Sequence, residues 1–121
     1  MSLDKKQTGQ LGEQLAIAYF IESGYHILHT NWRCKTGEID IIAENDGRVI
    51  FVEVRTRTGS GKYGTAAESV HNRKQQRIRL NAQYYLQSKK WNDRPVRFDV
   101  IAIELGNTAQ SHQLKHIEGA F

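Results

Sequence analysis

Two carboxylates on either side of a short turn are the residues of this chain best suited to chemistry. Asp40 and Glu53 lie in segments 37–44 and 48–57, both rich in Ile and Val, which flank Asn45-Asp46-Gly47. An Asp-Gly pair between alternating apolar runs is a strong hairpin signal. With Asp46 and Gly47 as a two-residue turn, Asn45 faces Arg48 and Asp40 falls directly opposite Glu53. Alternation then places Glu38 and Arg55 on the same face, with Ile39, Ile41, Val52 and Val54 on the other. Directly opposed like charges cost from a few tenths to about 1 kcal/mol. A divalent cation between them removes that cost, and paired hard oxygen donors suit Mg²⁺ or Mn²⁺. The same spacing also fits a surface hairpin in which Glu53 pairs with Arg55 or Arg57 and Asp40 is solvated.

Glu13 shares a helical stripe with Ile17 and Phe20. A carboxylate on an apolar stripe is costly without a partner. Glu13 either completes an acidic cluster beside Asp40 or sits near the helix start, where the dipole favours it. Farther along, Arg73, Arg77 and Tyr84 share a stripe with Leu80, opposite Ile78, Ala82, Tyr85 and Leu86. The apolar stripe is expected to pack on a sheet. The basic one either tracks phosphates or is a solvated face. Lys74 lies between the two and can reach toward the carboxylates, while Arg55, Arg57 and Lys62 add positive charge nearby in sequence. Tyr63, in a glycine-rich loop at 59–64, either stacks on an unpaired base or anchors the loop. That loop lacks the Gly-Lys-Ser/Thr ending of a P-loop, which argues against nucleotide hydrolysis. His26 and His29 are three apart on a strand and point to opposite faces. His71, His112, His116 and Cys34 have no partner at zinc spacing. Asp99, between Phe98 and Val100, reads as a buried polar support, and Trp32 and Trp91 as packing residues.

These side chains need elements to hold them. A helix is expected over 8–23, closed by Gly24 and largely buried. Leu11, Leu15, Ala18 and Tyr19 make one of its faces, and Ala16, Ile17 and Phe20 fill much of the other. Strands are expected at 25–30, 37–44, 48–57, 96–104 and 113–118, with a second helix over 72–88 and Asn72 as its N-cap. The order is α-β-β-β-α-β-β. The 121 residues suit one domain, 1–121, without repeats or linkers. The longest apolar run, 15–21, has seven residues, against about 20 for a membrane span. No signal-peptide stretch appears in 1–12, and Cys34 alone points to a reducing compartment. The expected setting is cytoplasmic, with no membrane partner.

Charge is concentrated. Residues 48–97 carry twelve Lys/Arg against three Asp/Glu, whereas 1–47 carry four against seven and 98–121 one against three. Asymmetry of this kind points to a polyanionic partner, nucleic acid above all.

Gly9-Gln10-Leu11-Gly12-Glu13, Gly37-Glu38-Ile39-Asp40 and Phe51-Val52-Glu53-Val54-Arg55-Thr56-Arg57 together resemble the YraN family of small bacterial proteins. That family is placed in the PD-(D/E)XK, restriction-endonuclease-like superfamily, and the likeness runs nearly end to end. Asn31-Trp32-Arg33, the surroundings of Tyr63-Gly64, Arg97-Phe98-Asp99-Val100 and His116-Ile117-Glu118 also fit it. The order of helix Glu, Gly-x-Ile-Asp and Glu-x-Lys is similar to that of archaeal Holliday-junction resolvases. The resemblance implies an α/β fold with an αβββαβ core, a central mixed sheet flanked by helices. It makes Asp40 and Glu53 metal ligands, Glu13 an auxiliary acid and Mg²⁺ or Mn²⁺ the cofactor. Arg55 stands where the superfamily usually has Lys, and Ile39 where its name has Pro. Arg can grip a phosphate in bidentate fashion, but it stays charged and cannot deprotonate water.

The expected activity is metal-dependent hydrolysis of phosphodiester bonds in DNA, selective for branched, damaged or single-stranded structures. Asp40, Glu53, Arg55 and Glu13 form its site, and Arg57, Lys62, Tyr63, Arg73, Lys74 and Arg77 contact nucleic acid. A homodimer follows by analogy with junction resolvases. The alternative is a nucleic-acid-binding module that keeps the fold without turnover. A purely structural role predicts no salt-dependent affinity for DNA at all.

Overall fold

A computed structural model of the chain describes residues 3–58, 70–106 and 111–121. Among the described residues seven elements follow the expected order: α1 (Lys5–Glu22), β1 (His26–Cys34), β2 (Gly37–Asn45), β3 (Arg48–Thr58), α2 (Asn72–Lys89), β4 (Val96–Leu105) and β5 (His112–Ile117). α1 begins three residues earlier than its apolar pattern suggests. Asp4 caps it by accepting from the Gln7 N–H, and the Gln7 side chain returns a bond to the Asp4 N–H. This reciprocal capping box satisfies two otherwise orphaned donors. At α2 the N-cap is His71 rather than Asn72, and its side chain makes no capping bond.

One five-stranded sheet in the order β1-β2-β3-β4-β5 organises the molecule. β3 and β4 run parallel and the other neighbours antiparallel. A parallel pair needs a crossover, and α2 lies within it. The sheet has an apolar layer on each face. Ala16 and Phe20 of α1 pack with Ile41, Ala43, Ile50, Val52, Ile101 and Ile103. Ala82 and Tyr85 of α2 pack with Ile39, Ile42, Val49 and Phe51 on the other face. Burial from both sides explains the unbroken apolar runs Val49–Val52 and Val100–Ile103, where a strand with one wet face would alternate.

α1 is less buried than its composition suggests. Its inward line is Gly12, Ala16 and Phe20, Ala18 is exposed, and Ile21 is 59% exposed. A helix on a single sheet has only one face to cover, so the second apolar face is left at the boundary. Gly12 sets the closeness of the packing. A Cβ built there would lie 1.8 Å from Thr56 Oγ1, so only hydrogen fits between α1 and β3.

Candidate acidic site and its basic rim

The hairpin that carries the two carboxylates forms in the expected register, with Asn45 facing Arg48 and Ile41 facing Val52. Asp46 and Gly47 both have positive φ, 53° and 79°, as a type I′ turn requires. The backbone ladder between β2 and β3 ends at Ile41–Val52, one step short of Asp40 and Glu53. Beyond it the Val54 N–H donates to Asp40 Oδ2 at 2.8 Å. A side chain thus takes over where backbone pairing stops, and β3 continues alongside β4 as far as Thr58.

The simple alternation also breaks here. Ile39 packs with the α2-side cluster and Ile41 with the α1-side cluster, so Ile39 does not share a face with Ile41. Asp40 lies between them, at the point where the strand leaves its partner.

Neither carboxylate is solvated. Glu53 is buried and Asp40 half-buried. Burial pushes the Asp40 pKa up to about 8. The Glu53 charge and a hydrogen bond between the two carboxyls act in the same direction, and Glu13 adds a smaller push. The Val54 N–H opposes them. Asp40 therefore holds a proton at neutral pH in the absence of another cation.

Two cations meet Glu53. Lys74 Nζ, reaching in from α2, lies 2.6 Å from Oε2. Arg55 Nη1 lies 3.7 Å from the same oxygen. The Glu53–Arg55 pair expected for a surface hairpin is therefore present, although the hairpin itself is not on the surface. Glu53 and Asp40 line a cleft of about 590 Å³ together with Glu38, His71, Arg73, Lys74, Arg77 and Asn81. They also line a smaller one of about 330 Å³ on the α1 side, with Lys5, Thr8, Glu13, Arg55 and Thr56. Glu13 is thus brought to the same acids. Among the described residues, however, no three Asp, Glu, His or Cys side chains converge as a metal cage. Mg²⁺ and Mn²⁺ do not need one, because one or two carboxylates plus water and substrate phosphate satisfy them. The donor set fits such an ion through Asp40 and Glu53.

Arg73, Lys74 and Arg77 all reach the larger cleft, and Arg57 lies on β3 beyond it. Lys62 and Tyr63 lie outside the described residues. Asn81 escaped the sequence reading. It is 1% exposed and ties the β1–β2 turn to α2, accepting from Thr36 Oγ1 at 2.5 Å and donating to the Glu38 carbonyl at 3.4 Å. A polar residue inside the α2 stripe of Ile78, Ala82 and Tyr85 was the available clue. Lys5 and Thr8 offered none.

A second polar centre holds the far side of the sheet. Asp99 is fully buried and takes a two-pronged bond from Arg97, both contacts at 2.8 Å. It also takes bonds from His116 Nε2 at 2.6 Å and the Gly119 N–H at 3.1 Å. His116 Nδ1 meets the Tyr19 hydroxyl at 2.9 Å. Burial alone would raise the Asp99 pKa, but the bonds from His116, Arg97 and Gly119 outweigh it and hold the carboxyl below its ordinary value. The network joins α1, β4 and β5, as expected of a buried polar support.

A mixed sheet with a helix on each face, and acids where the central hairpin parts, defines an α/β protein with a restriction-endonuclease-like core. No helix among the described residues is long and apolar enough to cross a membrane. The chain belongs to the Uncharacterised protein family UPF0102, which it matches over residues 12–103. It is 44% identical over 121 residues to a UPF0102 protein of Moorella thermoacetica, with all of both chains covered. It is 46% identical over 113 residues to one of Rhodococcus opacus, covering 93% of this chain and 94% of that one. These matches bear out the YraN-type resemblance carried by the helix, Gly-x-Ile-Asp and Glu-x-Arg segments.

Proposed function

We propose that this protein is a metal-dependent nuclease that hydrolyses phosphodiester bonds in DNA. The observation that carries the reading is the pairing of Asp40 with Glu53 at the end of the β2–β3 ladder, inside a cleft whose α2 wall is basic. Two carboxyls forced together in a buried setting, one of them holding a proton, fit a site completed by a divalent cation. When bound, that cation lowers the pKa of water and offsets charge on the phosphoryl oxygens.

The chain's own residues do the rest. Asp40 and Glu53 hold the cation, and Glu13 adds negative potential from α1. Lys74 brings an ammonium to the acids from α2, near the role that β3 gives to Arg55. Held at Glu53 by its ammonium, Lys74 can orient the attacking water and offset charge on the phosphate. Arg55 binds the scissile phosphate, and Arg73 and Arg77 neutralise the flanking backbone.

One observation favours a second reading, a nucleic-acid-binding module without turnover. Lys74 and Arg55 already more than offset the charge of Glu53, and a protonated Asp40 leaves these four groups without net negative charge in the absence of metal. A gel panel with Mn²⁺ or Mg²⁺ on single-stranded, duplex, flap and four-way DNA separates the two. Cleavage by wild type but not by Asp40→Asn supports the nuclease. A salt-sensitive shift with no cleavage, unchanged in Asp40→Asn, overturns it in favour of the binding module.

A further inference from the structure

The cleft around the acids does not end at Arg73 and Arg77. The same two residues wall a second hollow of about 430 Å³, lined otherwise by Thr36, Gln76 and Leu80. Leu80 is 41% exposed, and one turn farther along α2 the Tyr84 ring lies 5.3 Å from Lys35 Nζ. Arg73, Arg77, Leu80 and Tyr84 follow one stripe of the helix at i, i+4, i+7 and i+11. From Lys74 to Tyr84 the helix rises about 15 Å. Throughout Asn72–Lys89 there are five Lys/Arg and no Asp or Glu.

We infer that this stripe is a track for an unpaired nucleic-acid strand leading away from the acidic site. Backbone phosphates lie on Arg73 and Arg77, a base lies against Leu80 and Tyr84, and Lys35 takes the next phosphate. The inference rests on the nucleic-acid reading of the site and names its substrate as single-stranded beside the reacting bond. Charge complementarity selects a polyanion. The change from cations to an apolar side chain and a ring selects a base face, which a duplex keeps stacked within itself. Stacking on an aromatic ring tolerates any base, so the track confers preference for strand state rather than sequence. Gln76 offers an amide to a base edge or a sugar.

Fluorescence anisotropy in EDTA tests this without turnover, using a labelled 20-nucleotide single strand and the corresponding duplex. Wild type is expected to prefer the single strand. Leu80→Ser, and Leu80→Ser with Tyr84→Ala, are expected to weaken single-strand binding about tenfold while changing duplex binding less than about twofold. Arg77→Ala should weaken both and lower the salt dependence. Circular dichroism and Tm confirm that the variants fold, and Leu80→Ser stands as the primary variant because its side chain is exposed. Equal loss on both DNAs, or no loss on the single strand, overturns the track, as does a wild-type preference for duplex. Absence of any DNA binding overturns the track and the nucleic-acid reading together. Selective loss of single-strand binding in a protein that never cleaves leaves the track standing and removes only the hydrolytic reading.

Discussion

The ammonium of Lys74 lies 2.6 Å from Glu53 Oε2, so α2 and β3 are joined by an ion pair at the acidic site. The helix thereby delivers a Lys to the place where the strand presents Arg55. If this ammonium acts on water or phosphate, Lys74→Ala lowers single-turnover cleavage in Mn²⁺ by about 10²-fold or more. Mn²⁺ affinity, read by calorimetry, stays the same or tightens, because both carboxylates remain and a competing cation is gone. Joint loss of metal binding and activity would instead mark Lys74 as a prop for Glu53.

Asp40 makes stability depend on pH in a direction opposite to that of most surface carboxylates. Its native pKa, about 8, lies above the ordinary value of 3.8, so between these limits the folded state holds a proton that the unfolded chain releases. The contribution of this group is complete below about pH 4 and falls away as pH rises through 8. Asp40→Asn keeps the amide contact to Val54 without the titration. Its Tm without metal is expected to exceed that of wild type at pH 8.5 and to vary less between pH 5 and 8. Mn²⁺ should raise the wild-type Tm more at pH 8 than at pH 6, and leave Asp40→Asn almost unmoved. A metal-induced gain equal in both proteins would exclude Asp40 as a ligand.

Gly9 and Gly12 lie in the same helix and should respond oppositely to Ala. A methyl at Gly12 meets Thr56 Oγ1 at 1.8 Å, whereas among the described residues nothing lies within 4 Å of one at Gly9. Gly12→Ala is expected to cost about 1–3 kcal/mol through overpacking and to shift Glu13 away from the acids. Gly9→Ala should gain up to about 1 kcal/mol from helix propensity. Thermal melts, at about 4 °C per kcal/mol for a chain of this size, separate the two variants. Destabilisation of equal size in both would refute the close approach of α1 to β3.

Removing Asp99 leaves Arg97 and His116 facing each other with no anion between them. Asp99→Ala is expected to cost about 3–5 kcal/mol, enough to lower Tm by more than about 10 °C. The depressed pKa of Asp99 adds stability above pH 3.8, lost as pH falls through its lower native value. The acid limb of the wild-type stability curve should therefore steepen there, and chemical denaturation between pH 2 and 5 would reveal it. A variant within about 1 kcal/mol of wild type would mean that the network contributes little.

Much of the fold was legible because its signals are local. The Asp46-Gly47 turn set the β2–β3 register, and a two-residue turn leaves no freedom to slip. The Ile- and Val-rich segments marked β2 and β3 as strands, and the stripes of α2 correctly separated Ile78, Ala82 and Tyr85 from Arg73, Arg77 and Leu80. The errors came where a neighbour decides. α1 carries apolar residues nearly all round, and only the sheet beneath it chose Gly12, Ala16 and Phe20.

At the site, sequence determined the composition and tertiary structure the arrangement. Spacing alone put Asp40 opposite Glu53, since hairpin register is a counting problem. It could not foretell that the ladder would stop one pair early, that Asp40 would take the Val54 N–H, or that Ile39 and Ile41 would part to opposite faces. Nor did it fix Lys74 on Glu53, or Asn81 as the tie between α2 and the β1–β2 turn. Those contacts join residues 14 to 45 positions apart. Whether such groups meet depends on how the helices lie on the sheet, which is decided by packing of the two apolar layers rather than by any local pattern.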